Sequence, residues 1–215
     1  MDINQFVQTV AIYALPVLFA ITLHEAAHGY VARHFGDMTA YAQGRISLNP
    51  ARHIDLVGTI LVPLAILAVS KFMFGWAKPV PVNYSALRRP RQNMLWVAAA
   101  GPAANLAMAF GWAALYKLGE TMPGNYFTQP LLLMGKAGME VNVWLMLLNL
   151  LPILPLDGGR ILASLLPTRI AWGYAKLEPF GFPILLVLLL TSALGVILAP
   201  MVSFSYRVLG TVFQI

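Results

Sequence analysis

Long apolar runs alternate with short polar breaks along this chain, and the runs are long enough to cross a bilayer. The first extends from about Phe6 to Leu23 and keeps a helical pattern through His34. A second, Leu56 to Trp76, contains Gly58, Pro63 and Lys71, whereas Met94 to Tyr116 is uninterrupted. A fourth runs from about Gly138 to Leu156 and the last from Phe182 to Ala199. Helices of about 20 apolar residues match a hydrocarbon core of about 30 Å. Two polar stretches differ. Thr39 to Pro50 alternates enough to predict a short strand, and Gly75 to Asn83, with its spaced prolines, predicts an extended segment that cannot be helical. Either can present an edge to an extended peptide substrate, and two plain connecting loops would carry the same pattern.

Of the 215 residues, 59% are hydrophobic and only 10% charged, against about 25% charged in ordinary soluble domains. This predicts a chain solvated mainly by lipid. It is read as one membrane-embedded domain over residues 1–215, with a core at about 6–165 and a C-terminal span at about 182–199. There is no cysteine, which excludes disulfides and thiolate metal ligands. The net charge is +6. In so apolar a sequence that excess marks cytoplasmic loops and anionic lipid head groups, and no nucleic-acid partner is expected. Met1 to Asn4 lack Lys and Arg and the first run ends in His-Glu, so a retained span is expected rather than a cleaved signal.

The basic residues bear on topology. Arg33, Arg45, Arg52, Lys71, Lys78, Arg88, Arg89 and Arg91 lie between the first and third runs, and Arg160, Arg169 and Lys176 between the fourth and last. If Leu56 to Trp76 dips in and returns, these eleven of the fourteen share one face. If it crosses, the bias largely disappears. The expected fold is therefore an all-α polytopic membrane protein. It has about four full transmembrane helices plus a re-entrant segment and short membrane-associated β-strands. Its N-terminus lies outside the inner (cytoplasmic) membrane of the cell.

The polar break that ends the first run carries the chemistry. His24-Glu25-Ala26-Ala27-His28 is HExxH. On a helix, positions i and i+4 share a face, so both imidazoles reach one metal ion, while Glu25 points off that axis and serves as base for an attacking water. Zinc, one per chain, suits two imidazoles, an oxygen ligand and an open position. The two histidines need a third protein ligand. His34 lies ten residues beyond His24, about 15 Å along a helix. His53 stands beside Arg52 and is expected to face solvent. Most carboxylates flank spans or lie in loops, and Glu140 follows Lys136 by one helical turn and can pair with it. That leaves Asp157 in "NLLPILPLDGGRIL", where prolines bend the chain and glycines permit close packing. With the re-entrant topology, Asp157 falls at the same membrane side as His24 and His28. Asn105 and Asn149 are amides in apolar surroundings. Each can donate to an oxyanion or cross-link helices, and for Asn105 packing with a substrate contact is the expectation.

These motifs together resemble the site-2 proteases, intramembrane zinc metalloproteases. The resemblance rests on HExxH at the end of the first span, "AGPAANL" (Ala100 to Leu106) and "NLLPILPLDGG" (Asn149 to Gly159), in that order. "FGWAKPVPVN" and "GRISLNP" are similar to the family's short bacterial and archaeal branch. The resemblance covers about residues 10 to 165. It implies His24, His28 and Asp157 as zinc ligands, Glu25 as catalytic acid/base, and Asn149 as a polar group near bound substrate. It also implies cleavage of single-span, membrane-tethered proteins within their transmembrane helices, near the cytoplasmic side. The length leaves no room for the PDZ or CBS domains of larger members, so substrate choice is expected to rest on the membrane core or on partners. Two other readings exist: a metal transporter whose His/Asp cluster is a transit site, and a catalytically silent scaffold. A transporter predicts several ligand positions along a path, and the sequence has one compact cluster.

Overall fold

The computed structural model describes residues 2–62, 64 and 78–215. Helix α1 (Ile3–His34) is 32 residues long, about 48 Å, and carries HExxH in its second half. Its end follows from one glycine. Gly36 adopts φ +107°, and Gly36 N–H and Asp37 N–H donate to Arg33 O and Ala32 O at 3.1 and 3.0 Å, which satisfies the last helical carbonyls. A single turn, α2 (Thr39–Ala42), follows. Among the described residues, 3-10 turns at Pro50–Arg52 and Tyr84–Ala86 precede α3 (Pro90–Thr121). Helix α4 (Thr128–Asn149) returns against α3. Beyond it lie α5 (Asp157–Leu165), α6 (Thr168–Ala175), α7 (Glu178–Leu190) and α8 (Ala193–Phe213). Among the described residues four helices, α1, α3, α4 and α8, are long and apolar enough to cross a membrane.

The helix order around the site is set by small residues. On α3, Val97, Ala98, Gly101, Pro102, Asn105, Ala109 and Ala113 are buried, a stripe that lets neighbours approach closely. A side chain added at Gly138 of α4 would collide with the Trp112 ring of α3, and one at Gly135 would meet Tyr116 at 2.8 Å. Contacts ascend α3 as they descend α1 and α4: Val97 meets His28, and Asn105 meets both Ala20 and Asn142. Helices α1 and α4 are thus parallel, with α3 antiparallel to both. The main apolar cluster joins Ala109, Ala113, Met139, Val143, Leu147, Leu198 and Val202 from α3, α4 and α8. A smaller one, Ala32, Leu87, Met94 and Val97, closes the end of α1.

Several expectations are corrected. The strand expected over Thr39 to Pro50 is instead the α2 turn and irregular chain. Asp37 accepts from Thr39 N–H at 2.9 Å at its start, and Gly44, at φ +62°, closes its end with Arg45 N–H on Ala40 O. That bracket of Asp and Gly outweighs a weak alternation. The strand expected over Gly75 to Asn83 is also missing among the described residues, 78–83. Pro79 and Pro81 have no N–H, and Lys78, Val80 and Asn83 donate theirs to His53 O, Glu25 and Asp37, which leaves no ladder to form. Of the re-entrant segment expected over Leu56 to Trp76, residues 63 and 65–77 lie outside the described residues. The described part opens with a π-helical turn, Leu56–Leu61, held by Asp55 accepting from Gly58 N–H at 2.7 Å, and shows no re-entrant path. The chain that leaves α1 does meet the start of α3 at the same end, where Arg88 N–H donates to Phe35 O at 3.0 Å.

The fourth and last spans are displaced. Helix α4 begins and ends earlier than the apolar pattern, because Pro152 and Pro155 exclude residues 150–156 from a helix. The stretch 182–199 is divided between α7 and α8 at Ser192, which sits at φ 59°. Helices α6 and α7 together make a pair bent by 63°.

Candidate metal centre

The site grows from the face of α1 that carries Ala20, His24, His28 and Ala32, all buried. That face lies against Gly101 of α3. A Cβ at Gly101 would stand 2.5 Å from both His24 Cε1 and His28 Nε2, so the absent side chain is the space the two imidazoles occupy. The rings meet edge to face with centroids 4.7 Å apart.

Their tautomers follow from their partners. His28 Nδ1 is 2.7 Å from Val97 O. A carbonyl only accepts, so Nδ1 carries the proton and Nε2 keeps its lone pair. His24 Nδ1 is 2.6 Å from Asn105 Oδ1. The Asn105 amide is oriented in turn, since its Nδ2 donates to Asn142 Oδ1 at 2.9 Å and to Ala20 O at 3.3 Å. Asn142 Nδ2 donates to Gly138 O at 2.8 Å. A backbone carbonyl of α4 thus fixes Asn142, which fixes Asn105, which fixes the proton on His24 Nδ1 and leaves Nε2 free. Both amide hydrogens of Asn105 are used within the protein, so it has none for a substrate oxyanion.

Asp157 is delivered by the first turn of α5. Glycines 158 and 159 let that turn dock on the bent 150–154 segment. A Cβ at Gly159 would be 2.6 Å from Ile153 C and Leu154 N, and one at Gly158 would collide with Leu150 O. Arg91 of α3 holds the other end of α5, where the guanidinium donates to Ser164 O at 2.9 Å, to Leu166 O and to Thr168 Oγ1. Cations suit a helix C-terminus.

Three lone-pair atoms converge here. His24 Nε2 and His28 Nε2 are 3.1 Å apart, and Asp157 Oδ2 lies 3.2 and 3.4 Å from them. All three residues are buried, and among the described residues Asp157 Oδ2 has no hydrogen-bond partner. Two neutral imidazoles and a carboxylate facing one point repel one another unless an electrophile sits between them. Each offers one ligand atom within 4.8 Å of the others, which fits a cation with nitrogen and oxygen donors such as zinc.

Glu25 is half-buried and outside this group. Its Oε2 accepts from Val80 N–H at 2.7 Å, so the Lys78–Asn83 segment crosses beside it. Asp37 fastens the far end of that segment, accepting from Asn83 N–H at 2.7 Å as well as from Thr39. Burial works against the Asp37 charge, but the bonds from Thr39 and Asn83 outweigh it and hold the carboxyl below the usual carboxylate range.

Asn149 ends α4 and turns its amide back on its own helix, donating to Leu145 O at 3.0 Å. His34 meets Phe35 edge to face. His53 does not face solvent. It is 1% exposed and bonds Ser47 O at 2.7 Å, a packing histidine of the loop. Glu140 pairs with Tyr13, whose hydroxyl donates at 2.8 Å, while Lys136 is exposed. Asn142 went unnoticed in the sequence, and Gly101 entered only through AGPAANL and as a residue, with Pro102, that opens the third helix to another backbone. Asn142 could have been found by the rule that singled out Asn105, an amide in an apolar span. Nothing in the sequence separates Gly101 from its neighbours as the glycine under the histidines.

Over 193 residues the chain is 39% identical to "Putative zinc metalloprotease YwhC" of Bacillus subtilis (strain 168), a match covering 88% of this chain and 84% of that protein. The chain belongs to the site-2 protease family. Two further relatives are both named "Putative zinc metalloprotease Rip2". The one from Mycolicibacterium smegmatis is 31% identical over 179 residues, and the one from Mycobacterium tuberculosis (strain H37Rv) 29% over 182. Each match covers 83% of this site-2 protease chain and 66% of the relative. No family model and no solved structure matches the chain.

Proposed function

We propose that this protein is an intramembrane zinc metalloprotease that hydrolyses peptide bonds within or near the transmembrane helices of membrane-tethered proteins. The observation that carries the reading is the convergence of His24 Nε2, His28 Nε2 and Asp157 Oδ2, the last without a hydrogen-bond partner among the described residues, at a helix that also carries the carboxylate of Glu25. His24, His28 and Asp157 would hold the ion. Zinc bound there supplies Lewis acidity, which polarises a carbonyl and makes water acidic near neutral pH.

The remaining chemistry belongs to the chain. Val80 N–H holds Glu25 Oε2 and so orients the other carboxylate oxygen. That oxygen takes a proton from the attacking water and returns it to the leaving amine nitrogen as the peptide bond breaks. Asn149, at the end of α4 on the Asp157 side, can contact substrate after turning from Leu145 O.

Charge favours one membrane side. Arg33 ends α1, Arg89 and Arg91 flank the start of α3, and Arg160, Arg169 and Lys176 follow α4. All stand at the end of the bundle that holds Asp157, which favours an active site towards the cytoplasm. A substrate helix must unwind there before its carbonyls can be reached, so helix-breaking residues near the cut should favour cleavage.

The test pairs zinc content with cleavage of a panel of single-span substrates by purified wild type and Glu25→Gln in liposomes. The expected result is one zinc in each protein, with cutting by wild type alone. Full activity in Glu25→Gln removes the assigned base, and a wild type that binds no zinc removes the reading.

A further inference from the structure

An open cleft of about 590 Å³ lies beside the α2 turn, lined by Gln43, Gly44, Arg45, Arg52 and Lys78 with apolar neighbours. Among its described lining residues three are cations and none is acidic. Like charges gathered in one cleft repel unless an anion lies among them. Arg45 adds a second observation. Its guanidinium donates through Nη2 to Lys78 O and Pro79 O at 2.9 and 3.2 Å, while its Nε is buried and has no acceptor among the described residues. A buried donor without an acceptor is costly, and an oxyanion in the cleft would supply one. Arg52 donates to Gly44 O, which fixes a second guanidinium on the same rim.

Depth argues for the source of the anion. Ile46, next to Arg45, packs on Gly29 of α1, where an added Cβ would meet its Cγ1 at 2.9 Å. Gly29 follows His28, so the cleft lies level with the last turns of α1, at the basic end of the bundle, a distribution of charge that favours contact with lipid head groups.

We propose that this cleft is a phosphate site that takes the head group of an anionic phospholipid, with Arg45, Arg52 and Lys78 as its cationic lining. Phosphate suits paired guanidinium donors better than a point charge would. Because Arg45 also grips Lys78 O and Pro79 O, the bound head group steadies the segment whose next residue, Val80, bonds Glu25.

The test titrates delipidated full-length protein in detergent with short-chain phosphatidylglycerol, then with inorganic phosphate as competitor. Binding is read by native mass spectrometry, and zinc content is recorded separately so that failure here is distinct from failure of the protease reading. Arg45→Gln/Arg52→Gln should weaken lipid binding about 10-fold or more. Arg169→Gln/Lys176→Gln, which removes the same charge elsewhere on the basic end, should not. Lys78→Gln, which disturbs no backbone anchor, serves if the double variant loses its fold. Lipid retained in excess inorganic phosphate supports the head-group source. Displacement supports phosphate chemistry and moves the source to the free ion. Unchanged binding in the cleft variants, or equal loss in both pairs, overturns the proposal.

Discussion

Gly101→Ala tests whether the space under the histidines makes the centre. The added Cβ would stand 2.5 Å from His24 Cε1 and His28 Nε2, whereas ordinary contact begins near 3.4 Å, so about 0.9 Å must be recovered. The imidazoles cannot swing away cheaply, because their Nδ1 atoms are hydrogen-bonded to Asn105 Oδ1 and Val97 O at 2.6 and 2.7 Å. Either those bonds stretch or α3 moves off α1 and disturbs the Asn105–Asn142 pair. Overpacking of this kind costs about 1–3 kcal/mol, and each 1.4 kcal/mol is about tenfold in affinity. Zinc affinity, measured by competition with a chromophoric chelator, should fall about 5- to 150-fold. Gly111→Ala, on the same helix with nothing within 4 Å of its added Cβ, should leave affinity unchanged and stability equal or slightly higher. Wild-type zinc affinity in Gly101→Ala would refute the reasoning outright.

Asn142→Ala removes the acceptor that orients Asn105, which frees that amide to turn a donor towards His24 Nδ1. Zinc affinity should drop about 10–100-fold with little change in helix content by circular dichroism. Arg91→Met strips three acceptors at the far end of α5 of their donor, so Asp157 loses its brace. Zinc affinity should fall about tenfold and recover in part with Lys. Asp37→Asn replaces one acceptor oxygen with a donor facing an N–H, and thermal unfolding should show a loss of about 1–3 kcal/mol. Because the folded carboxyl titrates below its unfolded value of about 3.9, that stabilisation is complete above about pH 4. It is lost as pH falls through the folded pKa, so the gap between variant and wild type should close only in acid.

The two histidines were legible because helical periodicity alone puts i and i+4 together. Asp157 was legible because prolines followed by Asp-Gly-Gly describe a bend that ends in a close-packed turn. The helices α1 and α3 followed from hydropathy. The fourth span was read too late because residues 150–156 are apolar yet bent, and hydropathy does not distinguish a greasy turn from a greasy helix. The α2 turn was read as strand because Asp37 and Gly44 act from outside the alternating window. His53 looked solvent-facing beside Arg52, and its burial depends on Ser47 O, a backbone contact no pattern reports. Asn105 was weighed as packing or substrate contact. Its bond to His24 required knowing which turns of α1 and α3 face each other.

Val80 touches Glu25 through its backbone. Flanked by Pro79 and Pro81, it offers the sole N–H from position 79 to 81, and that hydrogen meets the carboxylate oxygen at 2.7 Å. A contact of this kind is indifferent to side-chain identity: nineteen residues at position 80 keep the donor and only proline abolishes it. Single-residue drift therefore passes over the bond, whereas inserting one residue directly after Lys78, or deleting Val80, puts a proline opposite the carboxylate. The spacing of this segment is what heredity must preserve, more than its letters.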